Sequence, residues 1–362
     1  MEDLYPLQFK EIIKTYSFGG RQILSAFPEK NLPDLPCIAE SWEVYKESIV
    51  SAGPLKGKSL DELCKNYGEQ ILGSDIIAWK GKKFPLLLKF IDATTTLELG
   101  VHPDIKAVEK GLISEGRSKN EAWYVLSCGE NCYFCNGMKK KVTKEEFIQA
   151  VLDNRVRELV NTFPVKTGDT IYVPGGRIHS IGAKSLVAEI QDNNGDNYFF
   201  EWPYDNYTME EKKKIALESL NYCNLDDMGT GKTIPITLKK GNYVHTYLVV
   251  CKYFSLERYD LVGPIKEIND GRHFIILTGI KGKCLLKWKN GEIEIPTGKS
   301  ILLPACITEI EIRPYGECSL LRSYVPDLIK DIVKPLQHAG IQKERIISLG
   351  GDFYHNDLKE VI

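Results

Sequence analysis

The 362-residue chain contains no stretch of about 18 uncharged apolar residues, so a transmembrane helix is not expected. A basic segment followed by an apolar run, the mark of a secretory signal, is also missing, since Met1-Glu-Asp-Leu-Tyr-Pro-Leu opens on acidic residues. Neither sign of charge is in excess, with 47 basic against 49 acidic side chains. No basic stripe with interleaved aromatics occurs, which excludes a tail-driven binder and leaves nucleic acid out as a partner. A disulfide framework is lacking too: apart from one cluster, the ten cysteines are dispersed in apolar segments, as suits reduced thiols. The expectation is a cytoplasmic protein with neither membrane nor nucleic acid as partner.

With 43% hydrophobic and 27% charged residues the composition is that of an ordinary globular protein. Its length points to two or three domains. Most apolar runs are short, rich in Val, Ile, Leu, Tyr and Phe, and punctuated by Gly, Pro, Asn or Asp. This pattern predicts strands over 84–93, 122–127, 170–173, 186–190, 198–202, 243–256, 273–278, 283–288, 300–303 and 309–312. Helices are fewer. Ser59, Thr143 and Thr208 each precede a glutamate by three residues, a spacing that lets hydroxyl and carboxylate cap each other's backbone N–H groups. Helices are therefore expected over 60–66, 144–160 and 209–220, with a last one over 327–338. Strands grouped around a few helices argue a mainly β architecture.

One repeat is informative. Gly168 is followed by Pro174 and His179, and Gly298 stands at the same spacing from Pro304 and Glu309. The physics of the pattern is a glycine turn, a strand, a proline where no ladder N–H is lost, and a metal-capable side chain re-entering on the next strand. The first copy closely resembles the second motif of the cupin family. That resemblance implies a mainly β fold of tandem cupin jelly-roll β-sandwiches, with a small helical insertion and a C-terminal helical tail. The expected division is 1–140 with 165–206 as an N-terminal catalytic cupin, 141–164 and 207–228 as helical elements, 233–325 as a second cupin, and 326–362 as tail. Because its motif ends in Glu309, the second cupin is expected to lack a metal site.

Further segments follow one another in the order seen in type I mannose-6-phosphate isomerases. They are Tyr5-Pro-Leu-Gln-Phe-Lys10, Ala39-Glu-Ser-Trp42, Phe84-Pro-Leu-Leu-Leu-Lys89, Val101-His102-Pro103-Asp104, Lys119-Asn-Glu121-Ala-Trp123, Tyr172 to His179, and Ala188-Glu189-Ile-Gln191. The chain resembles that family with motif-level detail to about Trp202 and weakly to about Val325. The resemblance implies that His102, Glu121 and His179 bind one Zn2+ per chain, leaving a position open for water or a sugar oxygen. It implies interconversion of mannose-6-phosphate and fructose-6-phosphate, or a related sugar, by proton transfer through an enediolate. Lys89 and Lys119 match basic positions of the family's pocket, as catalytic or anion-binding groups. Glu189 and Trp42 are read as substrate-binding.

The chain departs from the family at three positions. Gly100 stands where many members carry a ligating Gln, and Gly195 and Phe199 align with the family's Asp and Arg. Arg177 lies two residues before His179, and on a strand the two would share a face. Arg177 is thus expected to point into the pocket in place of the missing arginine. In a chain of net charge −2, Lys89, Lys119 and Arg177 are then the groups that would hold an anionic sugar phosphate. A monomer or weak homodimer is expected.

Two His and one carboxylate also suit an Fe(II) oxygenase, and a sugar-binding cupin without catalysis is the third reading. Cys128, Cys132 and Cys135 have the spacing of an iron–sulfur motif but fall between two strands, around a Gly129–Asn131 hairpin turn. Gly229-Thr-Gly231-Lys232-Thr233 resembles a phosphate-binding loop, yet Ile234-Pro235 begins a strand where a helix would be needed. His245, His273, His338 and His355 have no partners at ligand spacing and are read as structural.

Overall fold

Leu86–Ala93 is buried along its whole length, which is why its sequence reads as a continuous apolar run rather than an alternating one. Leu86, Leu88 and Phe90 face one side, and Leu87, Lys89 and Ile91 the other. The strand belongs to a six-stranded sheet ordered Ile12–Lys14, Glu40–Val44, Leu86–Ala93, Ser185–Asp192, Glu121–Cys128, Thr170–Val173. Opposite it lies a five-stranded sheet ordered Tyr198–Phe199, Gly100–Val101, His179–Ser180, Tyr133–Met138, Val160–Pro164. The computed structural model describes residues 3–113, 118–192, 196–202, 207–229, 231–351 and 356–362. Gly195 and His355 lie outside the described residues.

A second sandwich follows. Its seven-stranded sheet is ordered Leu7–Gln8, Ser300–Leu303, Ile275–Lys281, Cys318–Tyr324, Ser255–Leu261, Tyr243–Val250, Ile236–Lys240. A four-stranded sheet carries Ile265–Ile268, Glu309–Pro314, Cys284–Trp288 and Gly291–Ile295. The fold is mainly β, with tandem cupin sandwiches and a helical C-terminal region. The two large sheets meet back to back, where Leu86, Leu88 and Phe90 share one core with Leu248, Phe274, Ile276, Leu302 and Leu321. Each fully buried Leu or Phe there contributes about 1.5–3 kcal/mol relative to an exposed one.

The repeat has a common structural meaning. Gly168 and Gly298 both take positive φ (91° and 83°), each opening a turn that leads into a buried strand, Thr170–Val173 or Ser300–Leu303. Pro174 and Pro304 end those strands, and His179 and Glu309 each start the next one.

Several expectations change. Leu7–Gln8 pairs with Ser300–Leu303, so the first strand is stitched into the second sandwich. The 144–160 helix stops at Leu152; a 3-10 turn over Val156–Leu159 and the strand Val160–Pro164 follow, because Val160 and Phe163 are needed in two cores. The 243–256 run is a hairpin that turns at Cys251–Phe254, and 198–202 contributes only Tyr198–Phe199. Thr143 and Thr208 close full capping boxes, and Ser59 accepts from the Glu62 N–H. The last helix is capped by Asp327 and widens over Leu328–Val333 before continuing through Lys334–His338.

His273 supplies a pH-dependent term. It is 6% exposed, stacks on Tyr324 at 4.6 Å, and its Nδ1 has no hydrogen-bond partner. Burial, with Arg322 and Arg272 nearby, pushes it down to about 4. The folded value lies below that of an unfolded histidine, so the unfolded chain takes up the proton first as pH falls. The stability this neutral imidazole contributes is full above about pH 6.5 and is lost as pH falls through about 4, costing about 3 kcal/mol. Replacing it by His273→Phe is expected to flatten thermal unfolding midpoints between pH 6.5 and 4. An unchanged slope would refute this assignment.

Candidate metal centre and its cavity

The six-stranded sheet presents a row of side chains to the sandwich interior. Trp42, Lys89, Glu189 and Trp123 are direct register partners across four adjacent strands, so all four point to the same side. One row further, Glu121 stands beside Gln191. The facing sheet supplies the imidazoles: His179 opens its strand opposite Gly100, and His102 follows Gly100–Val101 directly.

His102, Glu121 and His179 converge, with their ligand atoms all within 4.8 Å of one another and all three side chains buried. His102 Nε2 lies 3.1 Å from Glu121 Oε2 and His179 Nε2 lies 3.5 Å from Glu121 Oε1. Two donors about 2.1 Å from a tetrahedral ion sit about 3.4 Å apart, so these spacings fit a divalent metal. The tautomers fit as well. His102 Nδ1 donates to the Asp196 carbonyl at 3.2 Å and His179 Nδ1 to the Arg177 carbonyl at 2.8 Å. A carbonyl only accepts, so each Nδ1 carries the proton and each Nε2 offers a lone pair.

Electrostatics reinforce this donor set. Burial, helped by Lys119, holds His102 down at about 3, and burial likewise lowers His179, so both rings are neutral near pH 7. For Glu121 burial works upward, but the surrounding groups, the Lys119 ammonium among them, outweigh it and keep the carboxylate well below its usual range.

Around the three ligands lies a cavity of about 550 Å³. Lys89, Lys119, Glu189 and Trp42 all line it. Lys89 Nζ reaches Glu40 at 3.0 Å and Glu189 at 3.2 Å; burial opposes its charge, but Glu189 and Glu40 raise it above an ordinary lysine. Lys119 Nζ lies 3.4 Å from Glu121 and donates to Asn197 Oδ1 at 2.8 Å. Trp123 Nε1 donates to Glu189 at 2.9 Å, and burial together with Glu121 pushes Glu189 up to about 7.

Arg177 is not brought to the cavity, which corrects the expected orientation. It precedes the strand His179–Ser180 in an irregular turn, so strand alternation does not apply to it. Its guanidinium makes a bidentate pair with Asp227, Nε at 2.9 Å and Nη2 at 2.7 Å, and the two residues are 2% and 0% exposed. Among its described contacts, its carbonyl serves the site, through His179. Cys128 and Cys135 lie on separate strands, donating to the Val165 carbonyl and meeting Thr162 Oγ1 respectively.

Sequence reasoning missed Glu40, Asn197 and Gln191. Glu40 could have been found: it stands two residues before Trp42 on one strand, hence on its face, and accepts from Trp42 Nε1 at 2.7 Å. Asn197 had no signal, because only the fold carries its loop to Lys119.

Residues 243–325 match the family model described as mannose-6-phosphate isomerase, cupin domain. A mannose-6-phosphate isomerase of Bacillus subtilis is 28% identical over 326 residues, covering 86% of this chain and 97% of its own length. One from Streptococcus mutans is 28% identical over 330 residues, covering 88% and 98%. Among solved structures, the mannose 6-phosphate isomerase from Bacillus subtilis superposes with a TM-score of 0.76 at 26% identity, covering 88% of this chain and 99% of that one. No helix among the described residues is long and apolar enough to cross a membrane.

Proposed function

The chain belongs to the type I mannose-6-phosphate isomerase family of the cupin superfamily, and from that premise we propose that it is a zinc-dependent aldose–ketose isomerase acting in carbohydrate metabolism. The single observation that carries the metal-dependent part is the donor set: two imidazole Nε2 atoms, each fixed by a backbone carbonyl behind it, facing one carboxylate. His102, Glu121 and His179 would hold the ion, and Gly100, having no side chain, leaves a coordination position for a sugar oxygen. When bound, zinc supplies Lewis acidity to a sugar oxygen that gains charge as the proton beside the carbonyl is removed.

The chain's own residues supply the rest. Glu189, titrating at about 7, can hold the proton and return it near neutral pH. Lys89, kept protonated between Glu40 and Glu189, donates hydrogen bonds and fixes the Glu189 carboxylate. Lys119 is the second candidate for proton transfer, poised beside Glu121. Trp42 offers an indole face to the sugar, and the apolar cavity wall of Leu87, Ile91 and Ile181 limits access of water.

Elemental analysis of the purified chain is expected to find one zinc per chain, and a coupled assay to find aldose–ketose interconversion that a chelator abolishes and zinc restores. Mannose-6-phosphate and fructose-6-phosphate, the pair implied by the relatives' names, are the reference substrates. Iron in place of zinc would favour the oxygenase reading, and bound zinc without interconversion of any sugar would favour a binding protein.

A further inference from the structure

The second sandwich repeats the first down to a polar row on its large sheet, and we propose that it holds a ligand site of its own, a cavity for one neutral polyhydroxyl molecule the size of a single sugar ring. The five strands from Glu40–Val44 to Thr170–Val173 in one large sheet, and from Tyr243–Val250 to Ser300–Leu303 in the other, lie in the same order: first, second, fifth, third and fourth along the chain. In the first sheet Trp42, Lys89, Glu189 and Trp123 form the register row that faces the metal centre. The corresponding strands of the second sheet align Tyr247, Glu257, Arg322 and Leu277 in one register row. The match is positional, since Glu189 and Arg322 are each the fifth residue of their strands, and Trp123 and Leu277 each the third. Leu256 and Leu321, next to Glu257 and Arg322, turn to the core shared with the first sandwich, so the row itself faces the interior of the second.

A cavity of about 230 Å³ opens over this row, smaller than a drug-sized site and roomy enough for one ring. Its wall is aromatic and hydrogen-bonding at once. Tyr247, Tyr259 and Tyr324 line it, and so does His273, which stacks on Tyr324 and whose buried Nδ1 has no hydrogen-bond partner. Such a nitrogen costs stability until a ligand or water meets it. The charges of the wall are matched among the described residues. Glu257 accepts from His245 Nε2 at 2.9 Å and from the Tyr324 hydroxyl at 2.8 Å, and pairs with Arg322 at 3.1 Å. Arg322 also holds Glu267, Arg272 holds Asp270 and Asp331, and Lys330 holds Asp327. Glu309 stands where the first sandwich has His179, and the one group of described residues able to hold a metal ion lies in the first sandwich. This site therefore offers an anion no unmatched cation and offers no metal, whereas hydroxyl groups meet the imidazole and ring C–H groups meet the tyrosine faces.

The test titrates the full chain with methyl mannoside, methyl glucoside and methyl galactoside, whose blocked carbonyl makes them inert to isomerisation, and with inorganic phosphate. It is thus independent of the isomerase reading. Calorimetry is expected to find a glycoside bound with a dissociation constant on the order of 1 mM, and His273→Phe to weaken that binding at least roughly tenfold. Phenylalanine keeps the stack on Tyr324 and removes an unpartnered nitrogen, so the thermal midpoint of the variant at pH 7 should equal or exceed that of the wild type. No glycoside binding, an affinity that His273→Phe leaves unchanged, or inorganic phosphate as the ligand that His273→Phe weakens overturns the inference and leaves the isomerase reading untouched. Should the variant fail to fold, wild-type crystals soaked with the glycoside decide: density against His273 and Tyr259 supports the site, and density at the metal centre alone, or none, overturns it.

Discussion

Replacing Glu121 with glutamine is expected to empty the metal centre and lower kcat/KM by about 10³-fold or more, on the order of 4 kcal/mol of transition-state stabilisation. Glu121 is the one anionic donor in the group, and it faces both imidazoles, Oε2 toward His102 and Oε1 toward His179. Glutamine keeps the volume and the strand, but its amide nitrogen cannot coordinate, and it turns a donor toward one of two Nε2 lone pairs. The fold has little reason to fail, because glutamine keeps the register with Gln191 and Val173 and Glu121 itself is no member of the hydrophobic cores. Metal content by elemental analysis, turnover, and the far-ultraviolet spectrum together check the expectation. Wild-type metal content and rate in a folded Glu121→Gln variant would remove Glu121 from the ligand set.

The three residues of the candidate metal centre were legible in sequence because each sits in a short motif whose spacing survives translation into a strand end. His179 and Glu309 open equivalent strands after equivalent glycine turns, so the repeat announced both sandwiches and which of them carries a histidine there. The stitching of Leu7–Gln8 into the distant sheet was not legible, since two residues with a partner almost 300 positions away leave no local periodicity. The helix predicted over 144–160 failed for a similar reason: its apolar positions satisfy a helix through Leu152, but Val160–Pro164 pairs with Tyr133–Met138 and burial there overrides helical pattern. Arg177 failed through a rule applied two residues too early. Alternation of faces requires a strand, and the strand begins only at His179.

That misplaced arginine yields the second large effect. Arg177→Met is expected to destabilise the chain by about 3–5 kcal/mol, because it leaves the fully buried Asp227 carboxylate without its bidentate cation. Asp227 belongs to the segment that leads from the first sandwich toward the second, and its carbonyl accepts from the Met138 N–H while the Asn224 N–H donates to the Gly176 carbonyl. The ion pair thus clamps that segment onto the turn that carries Arg177. Since the Arg177 carbonyl also holds the proton-bearing Nδ1 of His179, a turn released by the substitution lets the ligand imidazole rotate. Metal affinity should fall by about 10–100-fold even though the altered side chain touches neither the ion nor the cavity. The double variant Arg177→Met with Asp227→Leu separates the two effects: removing the stranded charge should restore much of the thermal midpoint. Metal affinity should recover only as far as the turn repacks. A single variant that melts and binds metal as the wild type does would show that the buried pair positions nothing.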